Sequence, residues 1–129
     1  METYELEEQI HSAFVANERL IELLANGAQS IFHYVAPAKY QYPALVYSPI
    51  SDVPALAGDN RELVHRVTIR IHVITAAQNT FADQQKFLEV CKLVKEIMTG
   101  LRFVRKQTTP MILDGKAMLI HDFIRGVRS

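Results

Sequence analysis

The stretch Leu63-Val64-His65-Arg66-Val67-Thr68-Ile69-Arg70-Ile71-His72-Val73-Ile74-Thr75 decides the fold. Leu63, His65, Val67, Ile69, Ile71 and Val73 share one parity, and Val64, Arg66, Thr68, Arg70 and His72 share the other. Successive side chains of a strand point to opposite faces, so one face belongs to a core and the other turns two arginines and a histidine toward water or a partner. This is the pattern of an antiparallel sheet covered on one side only.

Downstream, Thr80 followed by Asp83 reads as a helix cap with an acidic first turn, where a carboxylate meets the positive end of the helix dipole. Phe87, Val90, Cys91, Val94, Ile97, Met98 and Leu101 form the buried stripe of that helix, with Gly100 expected to end it. A strand over 102–107, the turn Asp114-Gly115 and a returning strand from Met118 to Val127 make a closing hairpin.

Upstream, Leu6, Ile10, Ala13, Phe14, Leu20, Ile21 and Leu24 recur at helical spacing. Asn17 sits where the stripe thins, so the segment is one helix or two with Asn17 capping the second. Ser30 to Val35 predicts a short strand, Ala44 to Tyr47 another that Pro49 breaks, and residues 51–61 a loop. The predicted fold is a single α+β domain over residues 1–129, a mixed, mainly antiparallel sheet with helices on one face, in the order α-β-β-β-α-β-β.

The 129 residues suffice for one domain with a real core. Fourteen basic residues balance fourteen acidic ones, so no global charge draws the chain to nucleic acid or an anionic membrane. The lone Cys91 rules out an internal disulfide and a cysteine zinc site, which suits a reducing cytosol. The acidic start Met1-Glu2-Thr3-Tyr4-Glu5 lacks the basic and apolar regions of a signal peptide, and no apolar run approaches the roughly 20 residues of a membrane helix.

Chemistry is scarce in the motifs. His65 and His72 have opposite parity and cannot face one metal, while His121 and Asp122, as strand neighbours, point apart. Cys91 lies in an apolar stripe and reads as an inert thiol. The glycines are scattered at turns, without a nucleophile elbow, phosphate loop or dinucleotide motif, and Asp52, Asp59 and Glu62 fit a polar loop. No catalytic, cofactor-binding or metal residue is therefore expected, and the chain reads as a non-enzyme. Arg66, Arg70 and His72 form a basic row that, with Arg102, Arg105, Lys106, Arg125 and Arg128, offers a partner surface. No aromatic on that strand provides a base-stacking platform.

Three segments carry a resemblance: Ile31-Phe32-His33-Tyr34-Val35-Ala36-Pro37, Tyr42-Pro43-Ala44-Leu45-Val46-Tyr47 and Ser51-Asp52-Val53-Pro54. In context and order they resemble the phage tail completion, or tail terminator, family. That family has a leading helix, an Ile-Tyr stretch ending in Ala-Pro, a Tyr-Pro strand, an alternating strand, a long helix and a closing hairpin. Phe32 replaces the usual tyrosine, and Leu45 the usual β-branched residue.

The resemblance implies a structural virion subunit that assembles in the bacterial host cytoplasm, ends in the virion tail and forms a homo-oligomeric ring, hexameric as a rule. Such a ring caps the tail tube, ends its polymerisation and presents the head-tail joining surface. Implied partners are further copies of itself, the tail tube protein and a head completion or connector protein. Neither a membrane nor sequence-specific nucleic acid is among them, although DNA is free to pass through the ring. Three regions are the candidates for assembly: Val53 with Asp59, Asn60, Arg61 and Glu62; the row Arg66, Arg70 and His72; and Arg105, Lys106 and Lys116. The alternatives are another neck or tail component, such as a connector or tube protein, and a small cytosolic enzyme or ligand-binding domain. The last requires His33, His121 and a carboxylate to gather in one pocket.

Overall fold

The computed structural model describes residues 2–58 and 61–128, without the side chains of 56–58 and 61–63. Helix α1 (Thr3–Ala16) stops at Asn17, whose Oδ1 accepts from the Leu20 N–H at 2.9 Å and opens α2 (Glu18–Leu23). The segment is thus two helices. A 3-10 turn (Gly27–Ser30) leads to β1 (Ile31–His33), followed by β2 (Ala44–Gly58) and β3 (Arg61–Ala76). Helix α3 (Phe81–Gly100), β4 (Val104–Leu113) and β5 (Lys116–Arg128) complete the described chain.

The sheet order is β1-β2-β3-β5-β4, with β1 parallel to β2 and every other pair antiparallel. Val67, Ile69, Ile71 and Val73 are wholly buried on one face of β3. Beneath them pack Phe14 of α1 and Val90, Val94 and Met98 of α3, and Phe123 of β5 stands beside Ile69 in the same layer. The helices lie on this face, as the alternation of β3 predicts. Helix α1 sits over the β1–β2 side, where the Phe14 and Tyr47 rings meet edge to face at 6.0 Å; α3 contacts β3 and β4.

Three expectations need correction. Residues 51–58 are strand, not loop, because β2 runs past Pro49 in register with β3 to Gly58. Register shifts around Ile50 and Ala55 absorb extra residues, and β1 pairs only with Leu45–Tyr47. The prolines therefore stand on an edge, where a missing donor is tolerated. Gly100 does not end α3 in the left-handed region; Arg102 adopts φ +69° instead. The Phe103 N–H then returns to the Met98 carbonyl at 3.0 Å, a closure held by burial of the Phe103 ring. The closing hairpin is also longer than expected, for β4 extends to Leu113 through Pro110 on the outer edge.

The cap of α3 is as expected: Thr80 Oγ1 accepts from the Asp83 N–H at 3.2 Å, and Asp83 Oδ2 accepts from the Thr80 N–H at 3.4 Å. Thr80→Ala is expected to cost about 1 kcal/mol, and Ile71→Ala about 2–5 kcal/mol because it opens a cavity at the centre of the core. Urea unfolding of both variants checks the ranking, and an Ile71→Ala loss no larger than that of Thr80→Ala would contradict this placement of the core.

Candidate functional site

The face of the sheet away from the helices carries the basic row in its setting. Arg66 is exposed and stands in register between Val53 of β2 and Gly126 of β5. Arg70 is not a free cation. Its Nε donates to Asp122 Oδ1 at 2.8 Å and its Nη2 to Oδ2 at 3.1 Å, while Gln107 Nε2 donates to the same Oδ2 at 3.1 Å. Asp122 is only 3% exposed, and Arg70, chiefly through these hydrogen bonds, holds its carboxyl below the usual range against the opposing effect of burial. His72 is half-buried, its Nδ1 has no partner among the described residues, and burial followed by the Arg70 charge pushes the imidazole below its ordinary value. The row thus presents Arg66 to solvent, an internally neutralised Arg70 and a histidine that resists charging.

The remaining candidates disperse. Val53 is exposed. Arg61 and Glu62 pair with Gly58 and Ala57 at the end of the β2–β3 hairpin, and Asp59 and Asn60 lie outside the described residues. Arg105 is exposed opposite Phe123, and Lys106 occupies the bulge between Arg105 and Gln107. Lys116 lies at the other end of β5, its Nζ 4.7 Å from the centre of the Tyr40 ring. Tyr40 also meets Phe32 at 5.6 Å and Tyr42 at 5.3 Å, an aromatic group that the chain separates too widely for sequence spacing to reveal.

A second grouping escaped sequence reasoning. An open cleft of about 560 Å³ between α1 and β1 holds Glu7, His11, His33 and Tyr47. Buried Glu7 hydrogen-bonds His33 through Oε1 and Nε2, and the His33 ring stacks on Tyr47 at 4.8 Å. Burial, then the Glu7 charge, raises the Tyr47 phenol above its usual value. One signal was available: Glu7 lies three residues before Ile10 and seven before Phe14, on the border of the apolar stripe, where a carboxylate calls for a partner.

His121 does not join this cleft, since β2 and β3 stand between β1 and β5. It is buried beside Thr108, Nδ1 to Oγ1 at 3.0 Å, and its Nε2 has no partner among the described residues. His65 is bound to Asp52 at 2.6 Å, and Thr3 Oγ1 donates to the same carboxylate, tying the start of α1 to β2 and β3. No group of three histidine, cysteine or acidic side chains among the described residues is placed to hold a metal ion. Cys91 is half-buried and its thiol is pushed up to about 12 by burial. No described helix is long and apolar enough to cross a membrane. No family model and no curated protein matches the chain.

Two acid transitions are expected. The folded-state pKa values of His72 and His121 are lowered, chiefly by burial, so the unfolded chain takes up protons first and stability declines as pH falls below about 6.5. The Asp122 value is also lowered, so its contribution is present above about pH 4 and is lost on further acidification. Urea unfolding against pH should show both declines, with His121→Gln flattening the first and Asp122→Asn the second; profiles that overlay the parent's would contradict the assignments. Arg70→Ala should cost about 2 kcal/mol, less than a fully buried pair because Arg70 is partly solvated.

Proposed function

We propose that the chain is a structural subunit that forms a ring with copies of itself, and that in a tailed phage or prophage this ring caps the tail tube and offers the head-tail joining surface. The observation that carries the reading is the outer strand. The helices pack on one face of the sheet; on the other, Val46, Thr68, Ile74 and Ile120 are buried but Arg66 is exposed, and β4, with exposed Met111, Ile112 and Leu113, ends the described sheet without a further strand beside it. Apolar side chains clustered on an outer strand mark an association surface, and uncovered strand edges are otherwise a liability. The order of elements also agrees with the resemblance over the Ala-Pro, Tyr-Pro and alternating-strand segments. In this reading no side chain performs catalysis.

The experiment is to purify the chain, measure its mass by light scattering and image it by negative stain, alone and with tail-tube protein. Discrete rings on tube ends are expected. Open-ended stacks would instead favour a tube protein, and a species that stays monomeric with tubes present would sink the assembly reading. Arg66→Glu is the suitable surface variant, expected to weaken ring formation while leaving the melting temperature unchanged. Arg70→Glu is not suitable, because it would set a second carboxylate against buried Asp122.

A further inference from the structure

The balanced charge of the chain conceals a strong segregation. Residues 2–30 carry six glutamates against Arg19 alone, whereas residues 101–128 carry six basic residues against Asp114 and Asp122. The fold sets α1 over the β1–β2 side of the sheet and β4 on the far edge, while α2 turns to α3, where Arg19 pairs with Glu89, and Lys116 lies over Tyr40. Helix α1 lies along β1 and β2, tied there by Glu7 to His33 and by Thr3 to Asp52, while β5 and β4 form the far side. Of the charges involved, Glu8 on α1 and Arg105 and Lys106 on β4 are exposed and hold no ion pair among the described residues. Both edges also expose apolar side chains: Ile50 and Val53 on β2, Met111 and Ile112 on β4.

Resting on the assembly reading above, we propose that copies of this chain join head to tail, the acidic α1–β2 edge of one against the basic β4–β5 edge of the next. Charge complementarity selects the occupant and the geometry. A two-fold contact across either edge would oppose like charges, whereas a head-to-tail contact opposes unlike ones at every interface and can close into a ring. The apolar side chains at each edge then lose water on contact, and the flanking charges fix partner choice and register.

The test uses two charge-reversed forms of the full chain. Glu8→Lys with Ser12→Lys turns the exposed face of α1 basic; Arg105→Glu with Lys106→Glu turns the β4 edge acidic. Circular dichroism and melting first establish that each form is folded, and light scattering then reads the mass. Each form alone is expected to fall to monomer, and an equimolar mixture to regain the parent mass, because every contact in an alternating assembly is again between opposite charges. Association of the parent should also weaken at least roughly tenfold between about 0.05 and 0.5 M salt as screening shortens. If the parent forms rings but either form alone keeps its mass, or the mixture fails to recover, the edge pairing is wrong while the assembly reading stands. A parent that stays monomeric at all salt concentrations overturns both, and a monomer whose basic edge binds duplex DNA assigns that edge to a polyanion instead.

Discussion

Four β-branched side chains on β3, those of Val67, Ile69, Ile71 and Val73, are withdrawn completely from water, and the positions of the other elements follow from keeping them so. Each such residue gains about 1.5–3 kcal/mol from burial only if a second apolar layer covers it. Helix α3 supplies that layer through Val90, Val94 and Met98, and α1 extends it over Leu45 and Tyr47 through Phe14. Both helices are engaged on this face, and the opposite face buries Val46, Ile74 and Ile120 without them.

That opposite face combines buried apolar side chains with local polar pairing. Asp122 is almost fully buried there despite its charge, and the fork of hydrogen bonds from Arg70, completed by Gln107, makes that burial tolerable. The three residues come from adjacent strands, so the network also reports the register of β3, β5 and β4: a one-residue slip in any of them would send a partner to the opposite face. The same arrangement leaves Arg66 as the exposed cation of the row. A surface rich in formal charge thus has fewer charges to offer a partner than its sequence suggests.

At the edges the reverse holds. In a chain of zero net charge, exposed Glu8 lies on α1 over the β1–β2 side while exposed Arg105 and Lys106 lie on β4 at the far edge. Strand order, which adds no charge of its own, turns an ordinary composition into a molecule with two unlike sides.

Local information was enough to determine β3, the cap at Thr80, the Asp114-Gly115 turn and the α+β class, because alternation, side-chain capping and turn chemistry each act within a few residues; at Asn17 it left one helix or two open. The sequence also placed His65 and His72 on opposite faces. It misread 51–58, since whether a proline interrupts a strand depends on whether that side of the strand has a neighbour, and the neighbour is set by strand order. The pairing of Arg70 with Asp122 and that of Glu7 with His33 each join residues far apart in the chain, and so does the opposition of acidic and basic edges. Such contacts are fixed only when the helices close over β3 and bring distant segments to the same place, and for that reason the tertiary structure alone decided them.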